Sequence, residues 1–139
     1  RAAWFFGYTP SSVKAVVSEG YPEERATVLW NTIDTSTLKK NLAKVTDDDT
    51  RRFKLLLGGN GPVVLHLGAV DATKRLDWLV DAGEAIVSRF PEARIVLAGG
   101  GDQLDAYKKL QNRYPWLCCI GPIDGFEKAV CLASDWSVF

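Results

Sequence analysis

A glycine that ends an apolar run, with a lysine one short loop later, is an arrangement suited to phosphate. The string Gly68-Ala69-Val70-Asp71-Ala72-Thr73-Lys74 has that form. Backbone amides of such a loop and the start of the helix beyond it point toward an anion, and Lys74 can add a point charge to a diphosphate. The same lysine also reads as a solvated side chain on an amphipathic helix, and residue types alone leave both readings open. A second string, Gly99-Gly100-Gly101-Asp102, lets a ligand or another backbone come close, because glycine has no Cβ to collide. Its Gly99 and Gly101 make a GxG, but Leu104 stands where a dinucleotide fingerprint needs a third glycine. Neither a GxxxxGK[ST] phosphate loop nor a GxSxG nucleophile elbow occurs, and the single histidine, His66, reads as a core residue inside a strand. Asp77, Asp81 and Glu84 read as the exposed face of a helix. No self-contained catalytic set emerges, and the catalytic residues stay unassigned.

These loops must hang on a scaffold, and the apolar runs describe it. Val63-Val64-Leu65-His66-Leu67-Gly68, Ile95-Val96-Leu97-Ala98-Gly99 and Leu117-Cys118-Cys119-Ile120-Gly121 each stop on glycine. Continuous rather than alternating apolar residues imply burial on both faces, hence a parallel sheet between helix layers. Ligands of such sheets bind beyond the carboxyl ends of the strands. The expected fold class is therefore α/β, a Rossmann-like parallel sheet with helices on both faces. Its strands fall near 63–67, 94–98, 117–120 and 135–139. Leu76, Leu79, Val80, Gly83, Ile86, Val87 and Phe90 place a helix over 74–89, starting at Lys74. Asp102, with Asp105 in capping-box position, is expected to cap a helix whose inner stripe is Leu104, Tyr107 and Leu110. A last helix carries Phe126, Val130 and Leu132.

Before the Gly59-Asn60-Gly61-Pro62 turn the elements are shorter and less regular. A strand over 3–8 leads to a helix begun by Thr9-Pro10-Ser11-Ser12, faced by Val13, Val16 and Val17 and closed by Gly20. A second strand spans 26–30. Asp34 or Thr35 should cap a helix with Leu38 and Leu42, and Asp47-Asp48-Asp49-Thr50 opens another at its positive end. Three segments follow: 1–30 as the end of a first domain, 31–61 as linker and helices, and 62–139 as an incomplete ligand-binding domain.

Composition narrows the partners. Lysine plus arginine and aspartate plus glutamate each number 17, so no basic field points to nucleic acid. No run approaches the roughly 18–20 apolar residues of a membrane span. Three cysteines without CxxC spacing argue for core thiols in a reducing compartment and against a structural metal. The expected location is the cytoplasm, or the cytoplasmic face of a membrane. A chain without methionine, beginning at Arg1 and ending on the strand-like Trp136-Ser137-Val138-Phe139, is expected to be a piece of a longer protein, truncated at both ends.

In order along the chain, the motifs resemble the donor-binding half of retaining GT-B glycosyltransferases of the glycosyl transferases group 1 family (family 4). Tyr8-Thr9-Pro10-Ser11-Ser12 through Gly20 resembles the close of that family's first domain. Thr27-Val28-Leu29-Trp30-Asn31-Thr32-Ile33-Asp34 resembles its "vlpNgvD" segment, with Trp for Pro and Thr for Gly. Leu67 through Arg75 resembles "vGRldpeKg", Leu97 through Asp102 resembles "ivGxGp", and Ile120-Gly121-Pro122-Ile123 through Ser134-Asp135-Trp136 resembles "flGxv…adv". The resemblance implies that Lys74 contacts the donor diphosphate and that the main chain at Pro122 and Ile123 receives the nucleotide base. The implied donor-binding set is Gly68, Ala69, Lys74, Gly99, Gly101, Pro122 and Ile123. Ala69 stands where the family has arginine, and one charge-assisted hydrogen bond fewer costs ~1.5–3 kcal/mol.

The resemblance further implies no cofactor and no obligatory metal. It implies a UDP- or GDP-sugar as donor substrate and a carbohydrate or lipid-linked acceptor. The family's acidic motif falls past Phe139 and its acceptor pocket lies in the first domain, so this piece alone is expected to bind donor nucleotide without turnover. A degenerate, non-catalytic interaction domain is the rival reading, with Ala69 as its support. A methyltransferase ranks last, because the acidic residue expected after the next strand is not evident.

Overall fold

The computed structural model describes residues 3–30, 33–134 and 137–138. Asn31, Thr32, Asp135, Trp136 and Phe139, which carry parts of the expected motifs, lie outside the described residues. The chain divides into two compact units, Arg1–Thr35 and Ser36–Phe139.

The first unit is a strand–helix–strand. Parallel strands β1 (Phe5–Gly7) and β2 (Ala26–Val28) flank helix α1 (Pro10–Ser18). Thr9 caps α1 through its side chain, which accepts from the Ser12 amide, with Pro10 in the first turn. Gly20, at φ 87°, closes it: the Gly20 and Tyr21 amides donate to the Val17 and Val16 carbonyls in a Schellman pattern. Strand β2 ends at Val28 rather than at residue 30, and Trp30 adopts a left-handed φ of 52° incompatible with continuing the strand.

The second unit holds a four-stranded parallel sheet in the order β5-β4-β3-β6. Its strands are β3 (Val63–Leu67), β4 (Arg94–Ala98), β5 (Leu117–Cys119) and β6 (Ser137–Val138). Around them lie α2 (Ser36–Leu42), α3 (Asp47–Leu56), α4 (Leu76–Arg89), α5 (Leu104–Leu110) and α6 (Gly125–Ala133). The register aligns His66 with Leu97 and Leu97 with Cys119, so alternate residues share a face. On one face Ile95, Leu97 and Leu117 pack with Leu76 and Val80 of α4 and Tyr107 of α5. On the other, Val63, Leu65, Val96 and Ala98 pack with Phe53 and Leu57 from α3 and its end, and with Cys131 of α6. Leu65, Ile95 and Leu97 are wholly buried, each contributing ~1.5–3 kcal/mol.

Helix α3 starts one residue earlier in logic than its acidic run. Thr46 caps it, with Asp49 completing a capping box, and those bonds hold the Asp49 carboxyl below its ordinary value. Its other end is held by Arg94 of β4, whose guanidinium donates to the Leu57 carbonyl (2.9 Å), the Gly58 carbonyl and the Ala93 carbonyl (2.9 Å). One expectation is corrected here. Asp102 caps nothing: α5 begins at Leu104 with no side-chain cap. Helix α6 buries Ala129 and Cys131 and leaves Phe126 exposed. Among the described residues no helix is long and apolar enough to cross a membrane, and no group of three or more His, Cys, Asp or Glu could hold a metal.

Candidate functional site

The loops leaving β3, β4 and β5 lie side by side at the carboxyl edge of the sheet, joined by main-chain bonds. Gly68 N–H donates to the Ala98 carbonyl (3.0 Å), Val70 N–H to Gly100 (2.9 Å), Gly99 N–H to Gly121 (2.9 Å) and Gln103 N–H to Val70 (3.1 Å). These bonds account for the glycines. A Cβ at Gly99 would stand 1.7 Å from the Gly68 carbonyl oxygen, and one at Gly101 would stand 2.1 Å from that of Val70. The backbone that approaches both residues is the neighbouring loop. Gly100 is exposed, close to Pro122, while a Cβ at Gly68 would meet only the His66 ring in ordinary contact at 3.6 Å.

A cleft of about 840 Å³ opens beside β3 and α4. Gly68, Ala69 and Lys74 line its rim, His66 and Val64 come from the sheet, and Leu79, Ala82, Ile86 and the exposed Trp78 come from α4. Among the described residues Lys74 is the one cation lining it.

How Lys74 gets there differs from expectation. Residues Ala72–Lys74 form a separate 3-10 turn, started by Asp71, whose carboxylate accepts from the Thr73 amide (2.8 Å) and hydroxyl (2.5 Å). Those bonds, the hydroxyl first, hold Asp71 below the ordinary carboxylate value. Arg75 then adopts a left-handed φ of 48°, and α4 starts only at Leu76. Lys74 therefore stands in the loop and not on the helix. Arg75 offers the site no second cation: it makes a two-point pair with Asp77 (3.1 and 2.9 Å) and stacks 4.1 Å over Trp78. Its hydrogen bond to Asp77 raises the Arg75 value and lowers that of Asp77.

The expected residues line two different hollows. Ile123 lines a different hollow, of about 420 Å³, with Phe53, Leu56, Ile120, Phe126 and Val130, between α3 and α6. That hollow opens on the sheet face opposite to α4. Gly68, Ala69 and Lys74 line one cleft, Gly99 and Gly101 stand behind them, and the side chain of Ile123, whose main chain is the expected base contact, lines the other hollow. His66 was read only as core, and it is buried, but its Nε2 also meets the Ala69 carbonyl at 3.0 Å. The sequence signal for that contact is a polar residue at an inward strand position just ahead of the loop glycine.

The cysteines stay apart from this chemistry. Cys118 and Cys119 lie on opposite faces of β5 and all three cysteines are free thiols. Burial pushes both of the adjacent thiols up, Cys119 to about 11, which keeps them protonated and unreactive.

No protein-family model matches the chain. A curated relative, mannosylfructose-phosphate synthase of Agrobacterium fabrum (strain C58 / ATCC 33970), is 38% identical over 61 residues, 44% of this chain and 13% of that protein. Among solved structures, Anabaena Alr3699/HepE in complex with UDP-glucose superimposes with a TM-score of 0.67 at 21% identity, covering 99% of this chain and 37% of that one. UDP-GlcNAc 2-epimerase from Neisseria meningitidis, bound to UDP-GlcNAc, gives 0.62 at 16% identity, covering 99% and 39%. At such identities the likeness establishes the α/β fold with its parallel sheets between helices. The chain spans less than half the length of each of these proteins.

Proposed function

We propose that the chain is the donor-binding part of a glycosyltransferase that moves a sugar from a nucleotide-sugar donor to a carbohydrate or lipid-linked acceptor, with retention. The observation that carries this reading is the cleft at the carboxyl end of β3, where Lys74 stands beside the Gly68–Ala69 backbone. That geometry suits a diphosphate, with a point charge set next to main-chain amides. The relatives support the donor class. One is a mannosylfructose-phosphate synthase, and two solved neighbours of different name were captured with UDP-glucose and UDP-GlcNAc. A UDP-sugar is what those two share, so the ligand class has broader support than the reaction.

In this reading Lys74 neutralises the leaving diphosphate as the glycosidic bond breaks. Free thiols throughout fit a reducing, cytoplasmic setting. The acceptor would meet the donor outside these residues, and reaction by proximity can supply ~7–11 kcal/mol of the barrier. The 139-residue chain alone should thus bind donor without transferring sugar.

A second reading, a degenerate domain kept for interaction, is favoured by one observation. With alanine at position 69 and Arg75 engaged by Asp77 and Trp78, the cleft holds one cation. Calorimetric titration with UDP, GDP and their sugars separates the two. Saturable binding that Lys74→Ala weakens supports the donor role. Absence of binding to all of them leaves the degenerate domain. In a longer parent protein, sugar transfer with the donor's anomeric configuration preserved, read by NMR, tests retention, and inversion overturns it.

A further inference from the structure

The loop between β3 and the Lys74 turn has its peptide groups fixed on both sides of one exception. The Leu67–Gly68 peptide is held where Gly68 N–H donates to Ala98. The Ala69–Val70 peptide is held at both ends, Val70 N–H on the Gly100 carbonyl and the Ala69 carbonyl at 3.0 Å from His66 Nε2. Between them lies the Gly68–Ala69 peptide. Its carbonyl faces Gly99, since a Cβ there would stand 1.7 Å from that oxygen. In a trans peptide the N–H points opposite to the C=O, so Ala69 N–H is turned away from the β4 loop. Among the described residues it donates to no protein acceptor. Ala69 and Lys74 line the same cleft.

We propose that Ala69 N–H is an anion-binding donor for a phosphate of the nucleoside diphosphate, and that His66 is the positioning residue that aims it. The proposal rests on the donor-binding reading above and adds which atoms perform it. His66 Nε2–H donates to the Ala69 carbonyl, which fixes the backbone on one side of the free amide. The sheet bond at Gly68 fixes the other. A donor held in place before the ligand arrives loses little freedom on binding, which is where pre-organised groups gain affinity. The ring needs burial to hold that pose, and His66 has it at 8% exposure. A surface histidine would swing. The arrangement also gives a use to the small side chain at 69, because alanine leaves its own amide uncovered.

The test uses the 139-residue chain, labelled with ¹⁵N and titrated separately with UDP and with inorganic pyrophosphate, against His66→Leu and His66→Gln. Leucine keeps the burial and removes the donor, whereas the glutamine amide can still donate to the Ala69 carbonyl. The expected result is that both anions move the Ala69 amide resonance. His66→Leu should weaken both about tenfold, the worth of a charge-assisted bond left unaimed, and His66→Gln should restore most of the loss at an unchanged melting temperature. UDP binding that leaves the Ala69 amide still, or that His66→Leu leaves as tight as before, overturns the proposal while the donor reading stands. Pyrophosphate moving Ala69 while the uridine part of UDP adds no affinity supports the proposal and counts against the nucleotide reading. No response to either anion overturns both.

Discussion

The two units of this chain solve the problem of apolar surface in opposite ways. In Ser36–Phe139 the sheet is covered on both faces, and among the described residues every fully buried large side chain belongs to this unit. In Arg1–Thr35 one face of the two-stranded sheet meets α1, but the residues of opposite parity stay open. Trp4, Phe6 and Tyr8 are 48%, 57% and 63% exposed, and Leu29 is 52% exposed. Across that open face the Trp4 indole donates to the Thr27 hydroxyl at 3.0 Å. Two strands with a single covered face fall below what stands alone in water. The difference teaches where stability resides. The second unit owns a core, and the first displays half of one.

That contrast can be broken most forcefully by separating the units. A chain cut to residues 36–139 should keep its far-UV circular dichroism and unfold cooperatively, while a 1–35 peptide should show neither strand nor dispersed NMR signals. A peptide that folds, or a 36–139 chain that does not, removes the comparison.

Next in size come substitutions inside the second unit. Gly99→Ala drives a methyl into the Gly68 carbonyl and should cost about 3 kcal/mol or more, together with UDP binding. Leu65→Ala, at a wholly buried site, should cost ~2–5 kcal/mol in denaturant titrations. Phe6→Ser in the first unit should change the same titration by less than ~0.5 kcal/mol. Equal costs for Leu65 and Phe6 would mean that the first unit is buried in solution after all.

Lys74→Ala sharpens the comparison from the functional side. It should lower UDP affinity about ten- to hundredfold without moving the melting temperature, because Lys74 is exposed. The smallest effect concerns acid. Asp49 and Asp71 are both held below their ordinary value of 3.8 by bonds from Thr46 and Thr73. A carboxylate with a depressed folded value stabilises above its unfolded value and loses that contribution as pH falls through the folded one. The melting temperature should therefore slope downward below pH about 4, and Asp71→Asn should flatten part of that slope. A profile unchanged by Asp71→Asn would remove the link between that carboxylate and the turn carrying Lys74.

The sheet was readable from sequence because burial on both faces writes continuous apolar runs, and each run ends at the glycine where its loop begins. Strands 63–67 and 94–98 were expected with the bounds they have. The break before α4 was not readable. Arg75 adopts a left-handed conformation that its residue type disfavours, and the Asp77 pair and the Trp78 stack help hold it there together with main-chain bonds to Ala72 and from Trp78. Gly99 and Gly101 announced a close approach but not by what, since a ligand and a neighbouring carbonyl ask for the same missing Cβ. The base contact expected at Pro122 and Ile123 belongs to their main chain; which way the Ile123 side chain turns, here to the hollow between α3 and α6, is not written in the motif.

The strand order carries a consequence for how the chain reaches this state. β4 sits beside β3 and closes on it through one helix, but β6 joins β3 from its other side, where among the described residues Val64 pairs with Ser137 and Leu65 with Val138. That contact brings together residues 73 positions apart, 64 and 137, and long closures are slow to form and weakly rewarded. β6 should thus dock last and fray first. Amide hydrogens of β4, flanked on both sides, would outlast those of β6 in exchange, leaving the β3 margin the part of the sheet that opens most often.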